Sequence, residues 1–274
     1  MACGLGPPQA SRRKSTRSEA KAGTSVRGEF DRRLWVDLKR SPSARERPGT
    51  VIRHLGLNRR QSADQTIQYS TMSIDVPGTE GYAEYAAFLA NDWRKISFRD
   101  HHQPVLHLIP TAPSRVLDIG AGMGRDAAAL AALGHSVVAV EPVDELRAAA
   151  INFYLASSVV WLDDSLPELR LVRERANTFN LVMVTAVWMH LDEAQRRRGM
   201  DTISDLLDDG GLVIMSLRHG PIPTGRRMFN VSAADTIRLA EAHHLQLLLN
   251  VCSDSAQQAN RNMGVTWTRL AFRK

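Results

Sequence analysis

The feature that most constrains this chain is an apolar stretch that runs directly into three closely spaced glycines. In the segment VLDIGAGMGRD, residues 116–126, the apolar part ends at Ile119 and is followed by Gly120, Gly122 and Gly124. Glycine adopts positive φ without steric cost, so this pattern is typical of a tight turn between a strand and a helix. The amides at the start of such a helix present positive dipole ends to a ligand. The segment therefore predicts a ligand-binding α/β domain.

Short apolar runs alternate with helical patterns from residue 115 onward, as in βαβ units of a mostly parallel sheet. Seven strands are predicted, at residues 115–119, 136–140, 159–162, 181–185, 212–217, 245–251 and 265–272. Helices are expected near residues 125–133, 143–154, 193–207 and 233–243. The loop between the last two strands is too short for a crossover helix, which predicts an antiparallel hairpin. We expect a doubly wound, mostly parallel seven-stranded α/β sheet of the Rossmann-like kind.

The chain before the first strand divides into two parts. Residues 1–70 are rich in Arg, Ser and Gly and contain helix-breaking prolines, which predicts a disordered basic tail. Residues 71–114 form an N-terminal helical segment of the domain that spans residues 71–274, whose Rossmann-like core is residues 115–274.

Within that helical segment, residues 81–108 have aromatic and aliphatic side chains at helical spacing. We expect two helices, divided near Asp100.

Charge is distributed unevenly along the chain. The chain has 35 Lys and Arg against 29 Asp and Glu, a net charge of +6. Residues 1–60 carry 15 of the basic and only 5 of the acidic residues, so the remainder is acidic. A basic tail could bind nucleic acid, but Ser, Pro and Gly interrupt the arginines, which favours a solvated segment. No methionine lies between Met1 and Met72, so a native start at Met72 is a further hypothesis.

The two cysteines, Cys3 and Cys252, exclude a disulfide framework and a cysteine-rich zinc site, and we expect no metal. The N-terminus lacks the apolar stretch of a secretory signal, and no run of about 18 apolar residues follows. We expect a cytoplasmic protein without a membrane partner. The sequence does not indicate the oligomeric state.

Two features near the glycines distinguish between cofactor classes. The spacing is GxGxG rather than the GxGxxG that surrounds a pyrophosphate, and Asp118 lies two residues before the first glycine. A carboxylate there suits a cationic amino-acid ligand, whereas it would repel a diphosphate. Glu141 ends the second strand, where a carboxylate can accept hydrogen bonds from ribose hydroxyls in either class. A nicotinamide-dependent oxidoreductase and a non-catalytic cofactor-binding protein remain as alternatives.

Over roughly residues 80–274 the chain resembles the class I S-adenosylmethionine-dependent methyltransferases. The segments that carry the resemblance are, in order, DIGAGMG (118–124), VVAVEP (137–142), WLDDSLPEL (161–169), FNLVMVTAVWMHL (179–191) and DDGGLVIMSL (208–217). In the last of these, Gly210 and Gly211 would form the turn before a strand. The resemblance implies S-adenosyl-L-methionine as cofactor and methyl transfer to an O or N nucleophile of a small-molecule substrate.

The resemblance also implies which residues form the cofactor site. Asp118 would lie at the methionine end and Glu141 would hold the ribose. Asp163 or Asp164 would accept from the adenine amino group, and Asp164 is favoured. The full set expected at the cofactor is Asp118, Gly120, Ala121, Gly122, Gly124, Glu141, Pro142, Asp163, Asp164, Thr185 and Trp188.

The fourth segment supplies the candidate catalytic residue, His190. An imidazole titrates near neutral pH and could deprotonate a hydroxyl or amine, or the side chain could instead cap the loop or pack against the cofactor. Trp188 could shield the sulfonium through a cation–π contact, or be wall packing. Substrate groups are expected from the helix before the first strand, from the loop at residues 218–229 and from the hairpin loop at residues 253–264. In the second of these, four side chains could bind a substrate carboxylate or phosphate, or be solvated loop charges: Arg218, His219, Arg226 and Arg227.

Signatures of DNA-base methylation are missing after the fourth strand. Residues 185–188 read Thr-Ala-Val-Trp, where such enzymes would have Asn or Asp followed by two prolines and an aromatic, or a Pro-Cys pair. This is evidence against adenine-N6 or cytosine-C5 methylation. An RNA or protein methyltransferase recruited by the tail at residues 1–60 remains an alternative that is not favoured.

Overall fold

The computed structural model describes residues 76–93, 95–155 and 157–274. The predictions of a disordered tail, of nucleic-acid binding by that tail and of a start at Met72 concern residues outside these ranges.

The seven predicted strands are confirmed. They are β1 Arg115–Ile119, β2 Ser136–Val140, β3 Val160–Leu162, β4 Phe179–Val184, β5 Leu207–His219, β6 Gln246–Asp254 and β7 Thr266–Arg273. Each of the first four is a short apolar run without strict polar alternation, as expected for strands that are covered on both faces. β1 and β4 are buried along almost their whole length.

The strand order across the sheet is β3-β2-β1-β4-β5-β7-β6. β1 to β5 pair in parallel, and β7 runs antiparallel to both β5 and β6, so the mostly parallel sheet with an antiparallel C-terminal pair is confirmed. The chain moves outward from β1 on one side and then returns to β4 on the other. This reversal leaves a crevice at the carboxyl ends of β1 and β4, where ligands bind in open α/β sheets.

Eight α-helices lie in the described part of the chain: α1 Ala86–Trp93, α2 Phe98–His102, α3 Arg125–Ala132, α4 Asp144–Phe153, α5 Arg170–Glu174, α6 Glu193–Leu206, α7 Ala233–Ala242 and α8 Gln258–Asn262. Two 3₁₀ turns span Gln103–Leu108 and Trp188–His190. The four predicted helices correspond to α3, α4, α6 and α7. α6 begins at a capping box in which Asp192 and Gln195 each bond the other's backbone amide, which explains its sharp start.

The predicted division of the N-terminal helical segment near Asp100 is wrong. α1 ends at Trp93 and α2 begins at Phe98, so Asp100 lies inside α2. The reason is local, because the Ser97 hydroxyl accepts a hydrogen bond from the Asp100 amide and makes Ser97 the cap of α2.

The predicted turn at Gly210 and Gly211 is also wrong, because both residues lie within β5. Leu207 already pairs with Phe179, and the pairing between β4 and β5 then shifts register. Gly210 has φ of +76°. A Cβ on Gly211 would lie 2.8 Å from the Asp208 carbonyl oxygen. The two glycines therefore form a bulge inside the strand instead of a turn before it.

The main hydrophobic core joins the sheet to α6 and α7, and its larger buried members include Leu117, Trp188, Met200, Ile203 and Phe272. Among the described residues, no helix combines the length and the apolar character needed to cross a bilayer.

Candidate functional site

A cavity of about 410 Å³ lies at the carboxyl ends of the parallel strands. Nine of the sequence-predicted site residues line it: Asp118, Gly120, Ala121, Gly122, Glu141, Pro142, Asp164, Thr185 and His190. Gly124, Asp163 and Trp188 are not among its lining residues. The sheet thus brings together residues from four separate segments of the chain.

The glycine turn after β1 has the predicted backbone conformation. Gly120, Gly122 and Gly124 have φ of +67°, +54° and +74°. A Cβ on Gly120 would lie 2.3 Å from a methyl group of Val187, so no larger residue fits there without displacing its neighbour. A Cβ on Gly124 would instead lie 2.9 Å from the Trp161 ring. The prediction that Gly124 contacts the ligand is wrong. The absence of a side chain at Gly124 instead lets the Trp161 ring of β3 pack against the start of α3.

Asp118 is buried near the end of β1, with 1% of its surface exposed. The Ala127 amide donates to its carboxylate, yet Oδ2 has no hydrogen-bond partner among the described residues. Burial, reinforced by the charges of Asp126 and Glu141, raises the pKa of Asp118 well above its usual range. The site therefore contains a carboxyl group that lacks a cation of its own.

Arg125, the cation whose charge acts on Asp118, is already paired. Arg125 Nε lies 2.6 Å from Asp126 Oδ1, and His102 Nε2 lies 2.7 Å from Asp126 Oδ2. Burial alone would raise the pKa of Asp126, but His102 and Arg125 outweigh it and hold that pKa well below its usual range. Since Asp126 takes up the Arg125 charge, Asp118 remains available to a positively charged ligand.

Glu141 follows β2 and links two loops of the site. Its Oε2 accepts from the Gly122 amide at 2.8 Å, and its Oε1 accepts from the Val143 amide at 3.0 Å. Burial raises the pKa of Glu141 to about 7, although these two hydrogen bonds oppose the shift. A carboxylate offers about four acceptor positions, so both oxygens retain capacity for a ligand hydroxyl.

Of the adjacent pair after β3, only Asp164 reaches the cavity. Its two oxygens accept from the amides of Ser165, Arg170 and Val172, which fixes the loop before α5. Asp163 is more than half exposed and lies 3.4 Å from Arg147. Asp164 was favoured over Asp163 from the sequence, and the structure places only Asp164 where a ligand could contact it.

His190 ends the 3₁₀ turn after β4 and is held by two partners. Its Nδ1 lies 2.8 Å from the Arg227 carbonyl oxygen, and its Nε2 lies 3.1 Å from the Tyr82 hydroxyl. A carbonyl can only accept, so Nδ1 carries the hydrogen and the Tyr82 hydroxyl donates to Nε2 of the neutral ring. Burial lowers the pKa of His190 and raises the pKa of Tyr82, which keeps both side chains neutral.

The prediction that Trp188 faces the cofactor is wrong. Its side chain is fully buried in the main core and not in the cavity wall. A Cβ on Gly199 of α6 would lie 3.5 Å from the Trp188 ring, so the absence of a side chain at Gly199 makes room for the indole. Of the two alternatives weighed for Trp188, packing is the one that the structure supports.

The segments outside the motifs that were expected to supply substrate groups do line the cavity, but the sequence did not assign the individual residues of the N-terminal helical segment. Tyr82 and Trp93 line the cavity from the N-terminal helical segment, and Trp93 lies 3.1 Å from the position of a Cβ on Gly122. Helical spacing of aromatic residues marked this segment, but the same pattern includes Tyr85 and Phe88, which are exposed. Spacing alone could not separate the two sets.

The candidate substrate-binding residues divide into two pairs. Arg218 and Arg226 line the cavity. His219 instead contacts the Thr268 hydroxyl, and Arg227 pairs with Asp192 and donates to the His190 carbonyl.

The cavity has two walls of different origin. The strand-end wall consists of the turns after β1, β2, β3 and β4. The cap wall consists of residues 76–93, the end of β5 with the loop after it, and the segment that leads into the start of β7. Among the described residues, no cluster of three or more His, Cys, Asp or Glu side chains is arranged to hold a metal ion.

Comparison with known proteins supports the methyltransferase resemblance. Residues 116–211 match a family model described as a methyltransferase domain. The chain is 32% identical over 128 residues to the protein-L-isoaspartate O-methyltransferase of Rhodopseudomonas palustris, a match that covers 45% of this chain. The chain spans about half the length of that curated relative, 52%. Residues 116–211 thus match a methyltransferase domain, which supports the resemblance of this chain to the class I S-adenosylmethionine-dependent methyltransferases.

Solved structures agree with this methyltransferase fold. The N-methyltransferase NodS from Bradyrhizobium japonicum, bound to S-adenosyl-L-homocysteine, superposes with a TM-score of 0.55 at 19% identity over 70% of this chain and 97% of that one. Magnesium protoporphyrin IX methyltransferase from Synechocystis, bound to S-adenosylmethionine, gives a TM-score of 0.52 at 15% identity over 70% and 94%. The matched methyltransferase domain and the ligands bound in these two structures support S-adenosylmethionine as the cofactor.

Proposed function

We propose that this methyltransferase transfers a methyl group from S-adenosylmethionine to an oxygen or nitrogen nucleophile of a small molecule. The observation that carries the proposal is the buried Asp118 carboxyl, with one oxygen unpartnered, beside the glycine turn. An isolated buried anion is costly, so this position fits the ammonium group of an amino-acid ligand. When bound, the cofactor supplies a methyl group on a positively charged sulfonium.

The strand-end wall has residues that fit the rest of the cofactor. The backbone at Gly120 and Gly122 permits close approach of the methionine part. Glu141 would accept from the ribose hydroxyls, with Pro142 and Asp164 at the adenine end. We also propose that residues 71–274 form the methyltransferase domain and that residues 1–70 are a tail.

His190 is our proposed proton acceptor, reached through Tyr82. The Tyr82 oxygen retains a lone pair that can accept a proton from a hydroxyl or amine nucleophile while its own proton passes to His190 Nε2. The Arg227 carbonyl holds the Nδ1 hydrogen and stabilises the imidazolium that results. Tyr82 is therefore the group that would contact the substrate.

Calorimetric titration with S-adenosylhomocysteine tests the cofactor site. Asp118→Asn and Glu141→Ala should each weaken binding by about tenfold or more, as expected for hydrogen bonds to charged groups. Asp163→Asn is the matched control, because Asp163 lies outside the cavity wall, and should bind as the wild type does. Undiminished binding in both site variants would refute the assignment.

A screen of metabolites with isotopically labelled methyl donor tests the reaction. We expect label in small molecules. His190→Ala should lower turnover at saturating acceptor, since a positioned base contributes roughly 10²–10⁴-fold. Unchanged turnover in His190→Ala would remove the proton-acceptor role and leave the transfer itself intact.

A second candidate acceptor is a protein carboxyl group. The curated relative is, by its name, an O-methyltransferase for protein L-isoaspartate, and the matched 128 residues favour the same class of nucleophile here. An isoaspartyl peptide and the same peptide with ordinary aspartate distinguish the two. Methyl transfer to the isoaspartyl peptide alone would favour this candidate over a free small molecule.

A further inference from the structure

The cap wall carries two arginines without acidic partners. Arg218 and Arg226 both line the cavity and are partly buried. Among the described residues neither forms an ion pair, and both bond only to backbone carbonyls, Arg218 to Pro221 at 2.8 Å and Arg226 to Glu80 at 3.1 Å. A guanidinium has five N–H donors, so most of their hydrogen-bonding capacity is unused.

Both cations lie near the proposed proton acceptor. The Arg226 guanidinium stacks on the Tyr82 ring, 3.6 Å from its centroid. The positive charges of Arg226 and Arg218 both act on Tyr82 and on His190. The two arginines therefore face the region that would hold the acceptor.

Charge is segregated between the two walls. The acidic lining residues Asp118, Glu141 and Asp164 all belong to the strand-end wall, as do the paired Arg125 and Asp126. The cap wall has arginine but no acidic residue among those that line the cavity. This arrangement would repel a cationic acceptor and favour an anionic one.

The cavity wall next to Arg218 is apolar. Met189 and Trp267 form a buried cluster with Met228 against it, and all three line the cavity. Arg218 is the direct cross-strand partner of Trp267 between β5 and β7. A ligand whose anionic group reaches Arg218 would therefore place an attached apolar body on Trp267.

We propose that the acceptor is a small molecule with a carboxylate or phosphate bound between Arg218 and Arg226 and an apolar body on Met189, Met228 and Trp267. This inference rests on the proposed function, because it assigns the acceptor half of the same cavity. It specifies an acceptor that is anionic at one end and apolar at the other, which methyl transfer alone does not require.

Matched pairs of probes test the proposal: benzoate with benzamide, phenylacetate with phenylacetamide, and phenyl phosphate with phenol. Each is titrated by calorimetry into protein saturated with S-adenosylhomocysteine. The anions should bind about tenfold or more tightly than their neutral partners, as charged hydrogen bonds provide. Arg218→Gln and Arg226→Gln should each reduce this preference, and the double variant should abolish it.

Arg197→Gln is the control, because it removes the same charge from an exposed position on α6. The Arg197→Gln variant should prefer the anionic probes over their neutral partners as strongly as the wild type does. Equal binding of anions and neutral partners, no anion binding up to about 10 mM, or a preference that survives in the double variant would each overturn the proposal.

The affinity for S-adenosylhomocysteine separates this inference from the proposed function. It should stay within about twofold of wild type in both arginine variants, because neither residue belongs to the strand-end wall. If the wild type fails to bind S-adenosylhomocysteine, the proposed function fails, and the anion titrations are then run on the free protein. Normal cofactor binding without anion preference would refute only the acceptor assignment.

Discussion

The strand-end wall and the cap wall face the same cavity but are built in opposite ways. The strand-end wall takes its residues from short contiguous motifs and is acidic, as Asp118 and Glu141 show. The cap wall combines Tyr82, Arg218 and Arg226, which are distant in sequence, and is basic. The difference indicates that the strand-end wall, the proposed donor site, can be recognised from local sequence motifs. The cap wall, the proposed acceptor site, is defined only by the folded chain.

The strand-end wall should be less tolerant of substitution than the cap wall. Gly120→Ala should cause the largest loss of stability and of cofactor affinity. The added Cβ meets Val187 at 2.3 Å, and the backbone has positive φ. We expect a loss of unfolding free energy of about 3 kcal/mol or more and at least about 100-fold weaker binding of S-adenosylhomocysteine. Thermal unfolding and calorimetry measure both.

Gly134→Ala is the control for backbone strain alone. Gly134 also has positive φ, +90°, but a Cβ there meets no atom within 4 Å. It should cost only about 1–2 kcal/mol and leave the affinity unchanged. Equal losses in the two variants would show that the close contact with Val187 is unimportant.

Asp118→Asn should separate binding from stability. Binding of S-adenosylhomocysteine should weaken by roughly 10–100-fold, because a neutral amide cannot pair with an ammonium group. The raised pKa of Asp118 means that its contribution to folding is present at low pH and is lost as pH rises through that pKa. Relative to wild type, the variant should therefore be more stable at pH 8 than at pH 5.

Melting temperatures of the wild type and the Asp118→Asn variant, both without ligand, at pH 5 and pH 8 check the direction of this pH dependence. A variant that loses the same stability at both would contradict the buried, unpartnered state of this carboxyl group.

Glu141 should make cofactor binding depend on pH. Its pKa of about 7 means that half of the side chains are protonated at neutral pH, whereas the ribose hydroxyls are bound best by the ionised form. In the Asp118→Asn background, affinity for S-adenosylhomocysteine should rise by about tenfold from pH 6 to pH 8. Glu141→Gln in that background should flatten the profile, and a profile that stays equally steep would assign the titration to another group.

The smallest effect on cofactor affinity is expected on the cap wall, for Tyr82→Phe. The hydroxyl donates to His190 Nε2 and stabilises the neutral imidazole, so its removal should raise the pKa of His190. Histidine titration by NMR measures this shift. Affinity for S-adenosylhomocysteine should stay within about twofold, and a larger loss would mean that the two walls do not act separately.

Much of the fold and of the strand-end wall could be predicted because the signals are local. β1 and β2 have the bounds read from their apolar runs, and the three glycines have the positive φ that their spacing indicated. Acidic residues at strand ends, such as Asp118 and Glu141, lie at the cavity because parallel strands end at one edge of the sheet.

Predictions failed where a side chain's direction depends on the tertiary structure. After β4, Ala186 has φ of +60° and the chain enters a 3₁₀ turn, so strand alternation no longer tells which side chains face the cavity. Trp188 then points into the core and His190 lines the cavity. Tyr82 could not be assigned either, because it shares its helical spacing with exposed Tyr85 and Phe88.

The N-terminal segment of the cap wall covers donor and acceptor regions together. A Cβ on Gly78 would lie 3.0 Å from the Cβ of His190, and Trp93 lies against Gly122. Residues 76–93 therefore contact both regions, and we expect this segment to move when the donor exchanges. We expect compulsory-order kinetics, with the donor binding first and the demethylated product leaving last, and a turnover rate set by opening of this segment and not by the chemical step.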